Sequence, residues 1–409
     1  MPRKVQKEGV HYVMKNIPVL MYHSVGIPNP NWQWSFLTCP YSVFESQLKM
    51  LKRLGFYTCS MGELYAYMVE GQSLPDRTVA LTLDDGYLDN WVFAYPLLKK
   101  YGMKATVFVT LDFVDARGIT RPYMSAGNGI ERLTTDGFLS WDEILTMERE
   151  GVVLAESHAC THTWYPCSDT IVDFRHPGDP YIWMTWNSNV DRKPCLQIDN
   201  AEHVKLGAPV YEYQMSLSGR RYFPDQRMEQ HLVRYVDEHG REAFYRDGNW
   251  RNVLLTEATQ FGKTKTLTDR YETQEEYEKR IYGELHQAKQ VLESKLGREV
   301  LCLCWPGGSA TETGMKIAQR IGYKLFNVGK DLTEVERGKV RNVYGGGNRV
   351  WRYAPVVYCD GEDKVQRKIV YASGLLFIFQ AYCRSYRRIM RGIYKVIWTL
   401  ARFYAKYVH

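Results

Sequence analysis

Short apolar runs at 17–22, 78–83, 105–110, 152–155, 300–304 and 324–328 are set apart by stretches of helical period at 42–54, 91–101, 140–150, 275–296 and 313–321. Each run has the length and composition of a strand buried on both faces. Connections that carry a helix exclude hairpins and demand parallel neighbours, so the expected fold class is α/β. Ser140 is placed to cap the third helix. Sites of such folds open at the C-terminal ends of the strands, which is where chemistry-bearing residues should be sought. The alternation stops at about residue 163 and resumes at about 273, and the stretch between is rich in Trp, Tyr, Pro and Gly. A compact domain does not carry so long a structureless loop, so this stretch is expected to be a folded insertion. The organisation that follows is a leader (1–16), a first part of the α/β body (17–162), the insertion (163–273), a second part (274–360) and a tail (361–409).

The 409 residues are 45% hydrophobic and 24% charged, a balance that excludes a disordered or collagen-like chain. Aromatic residues make up 14%, which suits a groove for ring-shaped ligands or a membrane interface. The net charge of +7 is concentrated at one end. Ten Lys and Arg and no acid lie between Lys364 and His409, which leaves −3 on everything before. A mildly acidic body argues against nucleic acid as a partner and points to the tail as the basic surface. The nine cysteines are scattered and contain no CxxC pair, which favours free thiols in a reducing compartment. Residues 1–16 lack the apolar core of a secretory signal, so a cytoplasmic location is expected.

Three segments fall where strands end. In Leu83-Asp84-Asp85-Gly86, adjacent carboxylates leaving a strand point to different sides, so one can ligate a metal while the other faces a substrate; the same residues also make an ordinary turn. In Ser157-His158-Ala159-Cys160-Thr161-His162, histidines four apart would share one side of a helical turn, a spacing that suits a divalent ion but also arises by coincidence on surfaces. Taken together they offer Asp-His-His with coordination left over for water. In Cys304-Trp305-Pro306-Gly307-Gly308, proline and two glycines permit a tight turn whose N–H groups can face a developing oxyanion.

On these residues the sequence resembles the polysaccharide deacetylases with NodB homology, carbohydrate esterase family four. Thr82-Leu83-Asp84-Asp85-Gly86 is similar to the family's TFDDG motif, His158 to His162 to its H-[ST]-x-x-H motif, and Trp305-Pro306-Gly307 to the segment that usually reads x-P-Y. Pro18-Val19-Leu20-Met21-Tyr22-His23 and Phe138-Leu139-Ser140-Trp141 resemble the branch acting on poly-N-acetylglucosamine. The resemblance covers 17–162 and about 275–358. It implies a distorted (β/α) barrel, here with a folded insertion and a C-terminal amphipathic helical tail. It also implies a divalent ion, expected to be Zn2+, on Asp85, His158 and His162, with Asp84 as general base. The implied activity is hydrolysis of an N-acetyl group on an amino sugar of a surface polysaccharide or a lipid-linked glycan. The Gly307 N–H is a candidate oxyanion donor. A deformylase, or a catalytically weak glycan-binding module, are the alternatives.

The sequence departs from the family in four places. No arginine stands between Leu301 and Trp305, Gly307 replaces the usual tyrosine, Ala159 replaces the Ser/Thr of the histidine motif, and the late histidine that serves as general acid has no counterpart. His23, at the end of the opening strand, is on the correct rim to serve as that acid. His176 is a further candidate from the insertion, and Asp89, Asn90 and Glu156 are expected to cap or hydrogen-bond rather than react. In the tail, the cations from Arg384 to Lys406 fall within a sector of about 100° on a helical wheel, with Ile393, Val396, Ile397, Leu400 and Phe403 opposite. A helix of this kind suits an anionic membrane surface, so the expected location is peripheral, on the inner face of the cell membrane.

Overall fold

The structure, a computed structural model, describes residues 5–7, 10–12, 16–29, 35–125, 129–195, 203–328, 342–359, 369–378 and 388–407. A parallel sheet forms its centre, from β1 (Val19–Tyr22), β2 (Tyr57–Cys59), β3 (Thr78–Leu83), β4 (Ala105–Val109), β5 (Val153–Ser157), β8 (Cys302–Cys304), β9 (Leu325–Asn327) and β10 (Arg349–Val350). β6 (Trp164–Phe174) and β7 (Pro209–Met215) belong to the insertion. The strand order is β10-β9-β8-β5-β4-β3-β1, with β2 wedged beside the first half of β3. Just past β10, Tyr353 bridges Leu20 in parallel, donating its N–H to Val19 and accepting from Met21. That bridge returns the sheet to β1 and closes a distorted (β/α) barrel. β3 and β4 are buried at every residue, which is why they read as unbroken apolar runs.

The helices that wrap the barrel are α1 (Tyr41–Arg53), α2 (Tyr95–Tyr101), α3 (Trp141–Arg149), α7 (Gln274–Leu296) and α8 (Glu312–Ile321). Ser140 caps α3 in a reciprocal capping box with Glu143, as its position in the sequence predicts. The second expected helix differs in kind, because residues 90–94 form a π-helical turn before α2 begins.

Within the insertion, β6 pairs antiparallel with β7, and α4 (Ile182–Ser188), α5 (Gln226–Glu238) and α6 (Trp250–Thr264) pack around it. Phe174, Leu206, Leu232, Val236 and Leu254 form a core of their own there. A second cluster, with Trp183 and Trp186 against Tyr87, Phe113 and Phe138, joins the insertion to the barrel mouth.

The chain beyond residue 361 is not wholly a separate tail. β12 (Ile369–Tyr371) pairs with β11 (Val356–Cys359), and Tyr371, Ala372 and Phe377 lie in the main core. Gln47 of α1 donates to the Ala372 carbonyl. Within the described part of the tail, α9 (Arg388–Tyr407) is the expected helix, and part of the wheel (Arg384 and Arg387) lies outside the described residues.

Candidate active site

At the C-terminal ends of the strands lies a cleft of about 760 Å3, lined by His23, Asp84, Asp85, His158, His162 and Gly307. Of the catalytic and metal-ligating candidates, all but His176 therefore meet at one barrel mouth, a cleft of the size that small-molecule and sugar sites occupy. Trp186, Trp305, Trp351 and Tyr353 supply much of the remaining wall.

Asp85 leaves β3 in the left-handed region, with φ 72°, and so turns away from Asp84. Its Oδ1 is buried and accepts no hydrogen bond, while the Nε2 atoms of His158 and His162 lie 3.2 and 3.3 Å from it. Donors at about 2.0–2.2 Å from one tetrahedral ion stand roughly 3.3–3.5 Å apart, so both Asp85–His pairs have the spacing of metal ligands, and the three groups can bring ligand atoms within 4.8 Å of one another. His158 Nδ1 lies 2.8 Å from the Cys304 carbonyl, which can only accept, so Nδ1 carries a proton; burial alone would lower His158, but Cys304, Asp85 and Asp84 outweigh it and raise it, so an ion binding at Nε2 displaces a proton there. Burial lowers His162 to about 4, which keeps its imidazole neutral near pH 7, as a ligand must be. Burial alone would raise the Asp85 carboxyl, but His162 and His158 outweigh it and hold the group below the usual range.

The His158–His162 segment is not a helical turn. It is an irregular loop in which Ala159 (φ 60°) and His162 (φ 39°) take left-handed backbone, so the two rings converge by loop geometry rather than by helical period. Among the described residues, five that are not glycine have positive φ, and Asp85, Ala159 and His162 are three of them.

Asp84 is held differently. Arg352 donates from both terminal nitrogens, 2.6 Å to Oδ1 and 2.8 Å to Oδ2, in a bidentate pair that is almost wholly buried. Burial alone would raise this carboxyl, but Arg352 prevails and lowers it. The same guanidinium lies 2.8 Å from Cys304 Sγ and above the Phe108 ring. An arginine absent ahead of Pro306 is thus present on the next but one strand, immediately after β10, and Cys304 fills the space beside it. Sequence reasoning missed Arg352, because the strand ahead of it is only two residues long and gives no apolar run.

His23 Nε2 is 4.0 Å from Asp84 Oδ2, and its side chain is partly exposed to the cleft. Gly307 has φ 56°, and a Cβ there would meet Met215, from the end of β7, at 3.1 Å. Backbone and neighbour both disfavour the usual tyrosine. His176 lies elsewhere, within the insertion, near Tyr245 and Trp250. Glu156 pairs with Arg298 and accepts from the Cys302 N–H at 2.7 Å, and Asp89 accepts from Ser24, both structural contacts.

With this geometry in view, the sequence pattern of the family described as polysaccharide deacetylase matches residues 71–179, a span that contains Asp84, Asp85, His158 and His162. Over this region the chain is similar to the polysaccharide deacetylases. YxkH of Bacillus subtilis (strain 168), whose name refers to the same family, is 40% identical over 93 residues, 23% of this chain. The poly-beta-1,6-N-acetyl-D-glucosamine N-deacetylase of Escherichia coli (strain K12) is 21% identical over 291 residues, 71% of this chain. This chain spans about a third of the length of either relative, 31% in each case. Among solved structures, a de-N-acetylase from Aggregatibacter actinomycetemcomitans aligns over 76% of this chain and 87% of that one at 16% identity and TM-score 0.47. IcaB from Ammonifex degensii aligns over 83% and 91% at 17% identity and TM-score 0.45.

Proposed function

We propose that the chain is a metal-dependent hydrolase that removes the N-acetyl group from an amino sugar of a surface polysaccharide or a lipid-linked glycan precursor. The observation that carries this reading is one buried carboxylate locked by Arg352 while its neighbour faces two imidazoles, all on the floor of an aromatic cleft. A divalent ion on Asp85, His158 and His162, which we take to be zinc, would supply Lewis-acid polarisation of the amide carbonyl and lower the pKa of water beside it. Asp84 removes the proton from the attacking water. Its carboxylate is suited to this because the Arg352 fork fixes its plane, and Oδ1 keeps a second lone pair while Oδ2 also accepts from the Cys304 thiol. His23, on the far side of Asp84, protonates the departing amine. The Gly307 N–H faces the developing oxyanion, and the Trp walls stack against sugar rings.

The name of the Escherichia coli relative favours a β-1,6-linked N-acetylglucosamine chain as the substrate class. The test is release of acetate from such an oligomer by the zinc-loaded chain, with loss of both bound metal and activity in His158→Ala and His162→Ala.

The same reading places the protein on an anionic membrane surface by way of α9. Among the described residues no helix is long and apolar enough to cross a membrane. One face of α9 docks on the barrel through Trp398, Ala401 and Ala405, while Val396, Leu400 and Phe403 are about two-thirds exposed on the opposite face. Arg402 and Lys406 stand between the two, so a helix already docked still presents an apolar ridge with cations at its edge.

A further inference from the structure

From the insertion, Lys193 reaches the backbone beside the candidate metal site. Lys193 is 2% exposed, and its Nζ donates to the Thr161 carbonyl and lies 3.5 Å from Asp112 Oδ2. From the barrel side, Glu284 of α7, itself buried, accepts from the Thr161 N–H at 3.1 Å and from its hydroxyl at 2.8 Å. All three polar groups of Thr161 are therefore engaged: the carbonyl by Lys193, the N–H by Glu284, and the hydroxyl by Glu284 with Ser216 Oγ of the insertion 3.3 Å away. The next residue is His162, whose left-handed φ of 39° persists only where its surroundings enforce it. Lys193 also lies over the rings of Phe113 (4.9 Å) and Trp186 (5.4 Å), both of which line the cleft.

We propose that Lys193 is a positioning residue that makes the insertion part of the metal site: it fixes the Thr161–His162 backbone and ties that backbone to the aromatic wall of the cleft. A methionine would fill the same volume without the cost of burying an ammonium, so packing alone does not account for a lysine here. What methionine cannot do is hold the Thr161 carbonyl. Partners that orient a ligand in this way are typically worth 10- to 100-fold in metal affinity. The inference rests on the reading of Asp85, His158 and His162 as ligands.

The experiment is a Zn2+ titration of the metal-free full chain against a chromophoric chelator, alongside the thermal midpoint of each metal-free form. Wild type should bind one ion, and His162→Ala should lose it. Lys193→Met should still bind one ion about 10- to 100-fold more weakly, while its metal-free midpoint is unchanged or raised. Lys193→Gln, which keeps an N–H donor, should fall between the two. Affinity within about threefold of wild type in Lys193→Met would overturn the proposal. Absence of stoichiometric Zn2+ in wild type, or its survival in His162→Ala, would remove the ligand reading beneath it, and the titration shows this before the lysine variants are compared. Should Lys193→Met not fold, hydrogen exchange on wild type decides: Zn2+ should slow exchange at 190–195, and unchanged exchange there would count against the coupling.

Discussion

Asp84 and Asp85 are neighbours in sequence with different surroundings. One is clamped by a guanidinium and the other looks at two imidazoles, a separation produced by the left-handed turn at Asp85. Removing Arg352 should therefore act on the base rather than on the metal. In Arg352→Met the cation that lowers Asp84 is gone and burial remains, so the carboxyl should rise. The acid limb of kcat/KM against pH should move to higher pH, and turnover at neutral pH should fall by up to about 10²-fold while metal binding persists. An unmoved acid limb would show that Asp84 is not the group titrating. The pair Asp84-Asp85 and both histidines were legible in the sequence because their spacing is local. Arg352 was not, because its relation to Asp84 crosses 268 residues and exists only once the barrel closes.

Among the elements, those set by local rules were the ones a reader of the sequence could place. β3 begins and ends where its apolar run does, and α3 starts where Ser140 and Glu143 cap it. The His158–His162 loop was read as helical because a spacing of four fits that period, yet left-handed residues bring the rings together instead. The tail gave a similar lesson: composition alone could not show that 369–377 joins the barrel core and that α9 docks on that core through Ala405. This sets the site for a truncation. A chain ending at residue 387 keeps β12, Tyr371 and Phe377 and loses α9. It should bind anionic phosphatidylserine vesicles far more weakly than the full chain, and the full chain's binding should weaken with added salt, since each cation near such a surface contributes about 1 kcal/mol. Equal co-sedimentation of the two chains would exclude α9 as the membrane contact.

For the molecule as a whole, barrel closure buries carboxylates that do no chemistry, and these shape its stability. Burial raises Asp89 from 3.8 to about 7, despite the hydrogen bond from Ser24. The folded state therefore holds a proton that the unfolded chain releases near pH 4. The stability that goes with it is complete below about pH 4 and is lost as pH rises through about 7, a few kcal/mol at most. Asp89→Asn should flatten the fall in thermal midpoint between pH 5 and 7.5, and a midpoint profile parallel to wild type would show that Asp89 is not its source. The insertion shows where a single sequence stops being informative. Its length announced a folded unit, but nothing local announced that Lys193 and Trp186 would reach the barrel mouth.

The central claim is that an ion held by Asp85, His158 and His162 and a base at Asp84 together hydrolyse an N-acetylated sugar. The most direct measurement compares acetate release from an N-acetylated β-1,6-glucosamine oligomer by zinc-loaded wild type and zinc-loaded Asp84→Asn. The account predicts release by wild type and a rate about 10²- to 10⁴-fold lower in the variant at equal metal content. Equal rates from the two proteins, or no acetate from the metal-loaded wild type, would contradict it.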